Sequence, residues 1–502
     1  MGRPTDRALR TKLRITIAGL RMPFALPALV SPLDSPALRT GLLGICVTVA
    51  GCMAGVRTDV PSPALLPAAW PAPPVAFDDS TVSVDDQAEW GMFYRDPTLQ
   101  GLVRQALENN RDLRLAMLRV DEARAALGLQ SADRWPTLAV GSSHTRARVP
   151  GDLNVAGRAV TTGEHRVGLA ISNWELDLWG RVRSLEAAAQ QAYFASAEGS
   201  RAAQAALVNQ VARNYLAWRE TQERIALTED TIATRRESLR IFGRRHAAGA
   251  ISRLALTQVE SLLYQAESIG TQLAQQQALQ AHALAQLVGV PWDALALAPP
   301  QAAVALPTVP AGLPSDLLLR RPDIAAAEHT LHAANARVQA ARAAFFPRIA
   351  LTTSAGTASA HLDGLFDSGS RAWTFAPSVS LPLFDGGRLQ SNLDLSAARQ
   401  NIAVADYEKT VQTAFREVSD ALATRATAAR QITLQQAQRD ALHERARLAQ
   451  LRYDHGATPY FEVLDAQRDL LAAEQQLVQA RYALQAAHIA VYAALGGGAP
   501  AR

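Results

Sequence analysis

The chain has 502 residues, 48% of them hydrophobic and 19% charged, with 50 basic and 46 acidic side chains and only two cysteines. It is long enough for more than one ordinary domain, and two thiols exclude a disulfide framework. Beyond the first 51 residues no apolar run approaches the roughly 18 residues of a membrane helix, so the only route across a bilayer is a closed β-barrel.

Residues 1–51 read as an export signal. Seven basic residues from Arg3 to Arg39 precede an apolar run, Gly41–Gly51, which suits a secretory segment and is too short to span as a helix. Val49-Ala50-Gly51-Cys52 then matches a bacterial lipobox, in which the Cys52 thiol receives a diacylglyceryl group. Met53, in place of Asp, at the following position points to the outer membrane. The leader holds seven basic and two acidic residues, so its removal leaves 43 against 44. The basic balance therefore belongs to the leader and gives no argument for nucleic acid. Cys46 leaves with it and Cys52 is lipidated, so no thiolate metal site remains.

The segment 52–97 is a lipidated, extended tether, proline-rich from Pro61 to Pro74. After it the chain repeats itself with a period of about 207 residues. Arg111-Asp112-Leu113 opens a helical stretch ending in Trp135-Pro136-Thr137-Leu138. Pro322-Asp323-Ile324 opens another, ending in Phe346-Pro347-Arg348-Ile349, and both ends are offset by 211 residues. Leu176-Asp177-Leu178-Trp179 recurs as Leu381-Pro382-Leu383-Phe384 at an offset of 205, and Gly249-Ala250 as Gly456-Ala457 at 207. Repeat 1 occupies 98–300, with two barrel strands at about 137–178. Repeat 2 occupies 301–495, with strands at about 348–384. A proline-rich crossover (Pro291 to Pro314) separates them, and 496–502 is a flexible tail.

Within each repeat two periodicities alternate. Val167, Leu169 and Ile171 alternate with Gly168, Ala170 and Ser172, and Trp373, Phe375, Pro377 and Val379 with Thr374, Ala376, Ser378 and Ser380. An apolar face against a small polar one is what a strand between lipid and water needs. No proline interrupts 151–290 or 383–458, and Arg181 to about Arg245 is rich in Ala, Gln, Arg, Glu and Leu. A helix of that length would reach roughly 90–100 Å. Gly249 and Gly456 mark turns that reverse one long helix into the next.

The segments Gly312-Leu313-Pro314-Ser315-Asp316, Arg320-Arg321-Pro322-Asp323-Ile324, Ala343-Ala344-Phe345-Phe346-Pro347, Glu175-Leu176-Asp177-Leu178-Trp179-Gly180-Arg181, Pro382-Leu383-Phe384-Asp385-Gly386-Gly387-Arg388 and Val463-Leu464-Asp465-Ala466-Gln467-Arg468 closely resemble the TolC-like outer membrane factors. With the lipobox, the resemblance is to their NodT-type efflux lipoproteins and covers about Trp90 to Leu495. It implies a mostly α fold with a β part. An internally duplicated chain would form a trimeric, long α-helical barrel topped by a 12-stranded transmembrane β-barrel, four strands per chain. It also implies an exit duct for drugs or small solutes in the outer membrane, extending into the periplasm. The implied partners are a periplasmic adaptor and an inner-membrane transporter of the resistance-nodulation-division (RND) class. Apart from the lipid on Cys52 it implies no cofactor, and the duct is not an enzyme.

The same resemblance places a pore constriction after the Gly456 turn. There Phe461 is the apolar ring, Glu462 and Asp465 the acidic rings, and Arg468 an intersubunit ion-pair partner that locks the closed state. These four residues share one helical face by i, i+3 and i+4 spacing. The bland reading is that Thr458 caps a helix with Pro459 at its first position and acids complement its dipole. Glu328, His329 and His332 have helical metal-ligand spacing but no further ligand clusters with them, so no metal site is expected. No HExxH, phosphate loop or GxSxG elbow occurs. Two rivals stand beside the efflux duct: a duct for type I secretion or metal efflux, and a non-conducting lipidated periplasmic scaffold.

Overall fold

The computed structural model describes residues 90–497, apart from 154, 156, 296, 298–305 and 307–320. Cys52, the tether and most of the 291–314 crossover lie outside the described residues. Three helices, α1 (Trp90–Phe93), α2 (Pro97–Asn109) and α3 (Arg111–Ala132), lead into strands β1 (Leu138–Val149) and β2 (Val160–Glu175). Helices α4 (Arg181–Ala247) and α5 (Arg253–Val288) follow. A second series then runs α6 (Pro322–Ala343), β3 (Arg348–Ser359), β4 (Arg371–Ser380), α7 (Arg388–Asp454) and α8 (Tyr460–Ala494). The two series match in order and nearly in length. α3 and α6 have 22 residues each, α4 and α7 have 67 each, and α5 and α8 have 36 and 35. At 1.5 Å per residue, α4 and α7 each extend about 100 Å. No described helix is long and apolar enough to cross a membrane.

Where α2 and α3 meet the long helices, about midway along them, lies the largest apolar core. Phe93, Leu99, Val103, Tyr215, Leu216, Leu284, Ile324, Tyr407, Val411, Ile489 and Tyr492 are buried together there. Phe93 stacks on Tyr492 at 3.9 Å between ring centroids, a packing that anchors the entry of the chain to its last helix. Asp96 caps α2 by accepting from the N–H groups of Thr98 and Leu99, with Pro97 at the first turn. Its second oxygen accepts from the Tyr215 hydroxyl and the Arg219 guanidinium, both at 3.1 Å. Desolvation in this core pushes the Tyr482 hydroxyl up to about 12.

Of the tail expected after Leu495, only Gly496 and Gly497 are among the described residues, and both make backbone hydrogen bonds. Gly497 N–H donates to the Tyr492 carbonyl at 2.9 Å, and the Gly497 carbonyl accepts from the buried Asn209 amide at 3.1 Å. A buried amide must find an acceptor, and this one ties Gly497 to α4.

The four strands form one antiparallel sheet in the order β1-β2-β3-β4. Register and alternation assign the faces. One face carries Leu138, Val140, Leu169, Ile171, Trp373, Phe375 and Val379, and several of these are more than 60% exposed. The other carries Ala139, Gly141, Ser143, Gly168, Ser354, Gly356, Thr374 and Ser378. At Gly356 the neighbouring backbone comes so close that an added Cβ would lie 2.1 Å from the Val167 carbonyl oxygen. Glycine there permits β2 and β3 to approach this closely. A bulge between Ile171 and Trp174, with Asn173 at φ 52°, shifts the register by one residue before the helix.

Each strand-to-helix corner is closed by an aspartate. Asp177 accepts from Arg183 N–H at 2.9 Å, and Asp385 accepts from Gly387 and Leu389 N–H groups at 3.0 and 2.8 Å. Arg181 grips Glu175 with two bonds of 2.9 and 2.8 Å, and Arg348 adds a third contact at 2.8 Å. Trp179 donates to the Pro347 carbonyl at 2.7 Å and stacks on Phe346. These side chains hold the corner rather than a ligand.

Candidate pore-tip site

Far from the sheet, two helical hairpins turn side by side. Gly249 and Gly456, at φ 70° and 73°, supply the left-handed residue that stops α4 and α7. The next helices start differently. Ser252 caps α5 by accepting from Ala255 N–H, whereas α8 follows Pro459 with no side-chain cap. The Thr458 hydroxyl, expected to cap, has no hydrogen-bond partner.

The hairpins are joined by an aromatic cluster. Tyr460 packs against Phe242 at 4.3 Å and Tyr453 at 4.8 Å, over Leu256, Val259 and Leu464. The Tyr460 hydroxyl donates to Ser238 at 3.3 Å, and Arg245 donates to the Tyr453 hydroxyl at 2.6 Å. Burial pushes the Tyr460 hydroxyl pKa up. Arg235 is buried, and its guanidinium donates to the Leu262 carbonyl at 2.5 Å, pinning α4 to α5. Desolvation pulls its pKa down.

The four sequence-derived residues sit on the surface beside this cluster. Phe461 is 54% exposed at the rim of a groove formed with Leu254, Thr257, Gln258 and Leu262 of α5. Asp465 and Arg468 line the same groove. Glu462 points instead toward Arg452, 3.4 Å away on α7.

Asp465 belongs to a group of four. Its carboxylate accepts from Arg468 at 2.5 Å, one turn along, and from Arg445 of α7 at 2.6 Å. Arg445 also donates to Asp469 at 2.7 Å, and Arg468 reaches Asp469 at 3.0 Å. Two arginines and two aspartates therefore neutralise one another and tie α7 to α8. Arg445 and Arg468 together hold the Asp469 carboxyl below the usual carboxylate range, and the aspartates raise both guanidinium values in return. Within the chain Arg468 is already paired on its own helix, and Glu462, Asp465 and Asp469 each have an arginine beside them.

Arg445, Asp469 and Arg452 were not singled out in the sequence, although a signal exists. Arg445 and Asp469 lie twelve residues either side of Ala457, and Arg452 and Glu462 lie five either side. In an antiparallel hairpin, positions equidistant from the turn face each other. Elsewhere, Glu328 lies 3.5 Å from His332 while His329 turns away to Gln191 at 2.7 Å. Among the described residues no cluster of three or more His, Cys, Asp or Glu could hold a metal ion.

The model of the family described as outer membrane efflux protein matches residues 102–290 and 313–497. The solvent efflux pump outer membrane protein SrpC of Pseudomonas putida is 46% identical over 408 residues, covering 81% of this chain and 86% of its own length. Outer membrane protein OprJ of Pseudomonas aeruginosa is 43% identical over 436 residues, 85% and 91% of the two chains. Among solved structures, CusC superposes with a TM-score of 0.75 at 38% identity, covering 85% of this chain and 98% of its own. The open state of the Neisseria gonorrhoeae MtrE outer membrane channel gives 0.74 at 36%, with coverage of 86% and 97%. A mostly helical chain with a small two-faced sheet, similar over most of its length to outer membrane channels, belongs to the outer membrane efflux protein family.

Proposed function

We propose that this protein is the outer-membrane exit duct of a tripartite efflux pump, working as a homotrimer. The sheet is the observation that carries the reading. It has an exposed apolar face, a small polar face, and two edges, β1 and β4, with no partner among the described strands. Four strands are too few to enclose water. Three copies joined β4 to β1 make a closed twelve-stranded barrel, lipid outside and water inside. The two long hairpins of each chain then extend the lumen into the periplasm as a helical barrel. Matched element lengths and the paired family segments support an internal duplication.

The N-terminal 1–51 segment would be removed and the lipid on Cys52 would tether residues 52–97 to the inner leaflet. A periplasmic adaptor would grip the helical tip, and an inner-membrane transporter of the RND class would load the duct. Relatives named for solvent, toluene and antibiotic efflux support small organic cargo. Such a duct hydrolyses nothing and needs no cofactor.

The gate lies at Phe461, Glu462, Asp465 and Arg468. Asp465 closes it by holding α8 to α7 through Arg445, in a narrow mouth where three copies meet. The test is single-channel conductance in planar bilayers, wild type against Asp465→Ala with Arg468→Ala. A small, flickering current that rises in the double variant supports a duct gated here. An unchanged current keeps the duct and moves the gate elsewhere. No current from either folded trimer favours a periplasmic scaffold.

A further inference from the structure

We propose that the outward face of the sheet carries a binding belt for the phosphates of the glycolipid headgroups in the outer leaflet. The proposal rests on the barrel reading above, which makes the apolar face the lipid-facing one. Along β4 the outward residues run Val379, Pro377, Phe375 and Trp373, then change abruptly to Arg371. Along β1 they run Leu138, Val140 and Ser142, then His144, Arg146 and Arg148. Along β2 they run Trp174, Ile171, Leu169 and Val167, then His165, which stacks on His144 at 4.0 Å. The apolar band lies toward the helices and the cationic one toward the loops, so the cations face the outer leaflet.

Charge is segregated by face as well as by height. The four strands contain two acids, Glu164 and Glu175, and both lie on the inner face. Glu164 is held by Arg166 at 2.5 Å, and Glu175 by Arg181 and Arg348. Outward, each chain presents three arginines and two histidines with no acid on the same face. Arg146, Arg148 and Arg371 are exposed and make no ion pair among the described residues. Asp152, Asp363 and Asp367 belong to the loops beyond the strand ends.

A row of unpaired guanidiniums directly above an apolar band fits an amphiphile with acyl chains below and phosphate monoesters above. Lipid A, with two phosphates on a glucosamine disaccharide, has that chemistry. Planar guanidiniums would bind each phosphate through paired N–H donors, while the acyl chains lie against Trp373, Phe375 and Val140.

The test uses the full-length protein in detergent micelles, titrated with fluorescent bis-phosphorylated lipid A and with the same lipid stripped of phosphate. The variant is Arg146→Gln, Arg148→Gln and Arg371→Gln combined, and both proteins are also checked for conductance. Wild type should hold the phosphorylated lipid about tenfold or more tightly than the stripped one, and the variant should lose that preference while still conducting. Equal binding of the two lipids by a conducting wild type, or an undiminished preference in the variant, overturns the belt alone. Competition by millimolar inorganic phosphate as effective as that by unlabelled lipid A would mark a free-anion site and overturn the lipid assignment. A wild type that neither inserts nor conducts overturns the barrel reading and the belt with it.

Discussion

The middle of the molecule and its tip both rely on arginine–aspartate pairs, at different depths. Arg219 and Asp96 are 4% and 13% exposed and surrounded by aromatic side chains. Arg468 and Asp465 are 47% and 24% exposed and lie beside a groove. Water weakens an exposed pair and makes it easy to exchange, whereas a buried pair must stay made because a lone buried charge is costly. On the proposed gating reading, the same chemistry serves as a fixed joint at mid-height and a releasable latch at the end.

The contrast breaks most clearly at its buried side. Arg219→Ala leaves Asp96 poorly compensated in the core and should cost about 3 kcal/mol of stability. The measurement is chemical denaturation of the assembled protein followed by tryptophan fluorescence. A loss no larger than that from removing a surface arginine would deny that the middle is a fixed joint.

At the tip the expected effect lies in conductance, with the melting temperature hardly changed. Raising salt to about 1 M shrinks the screening length to about 3 Å and should raise the open fraction of wild type. The Asp465→Ala with Arg468→Ala protein, whose latch is already broken, should not respond. A wild-type open fraction indifferent to salt would mean that the aromatic cluster alone closes the tip.

A smaller effect follows pH. Because the Asp469 carboxyl is held below its usual range, its contribution is complete above the unfolded value of about 3.9 and is lost as pH falls through the lowered folded value. Closure should therefore persist from neutral pH to about 4 and weaken only below it. Opening between about pH 5 and 6 would point to a histidine instead. Smallest of all, Phe461→Leu keeps an apolar rim and should alter conductance only slightly.

Much of the scaffold was legible in the sequence because its signals are long. The proline-free, Ala- and Gln-rich run from Arg181 made the helix plain, and α4 ends at Ala247 against an expected Arg245. Alternation of Trp373, Phe375, Pro377 and Val379 marked a strand and its apolar face. The ion-pair group at the tip was half legible. Asp465 and Arg468 lie a turn apart on one helix, whereas Arg445 comes from another helix and becomes a partner only once the hairpin register is known. The docking of Gly497 was hidden for a different reason, since glycine runs look the same whether anchored or loose. Nothing local in a glycine announces that Asn209 waits 288 positions away.

The equal length of α4 and α7 sets a tolerance on how this protein can change. Both helices leave one sheet and end in hairpins locked by Phe242 and Tyr460. One residue added to α4 alone would displace its tip by about 1.5 Å and rotate it by about 100°, pulling those rings out of contact. Insertions would have to arrive in matched pairs of whole turns, in both helices and in their return partners. A lineage can freely vary its surface, but the reach of its duct is a gauge that evolution could reset only in coordinated steps.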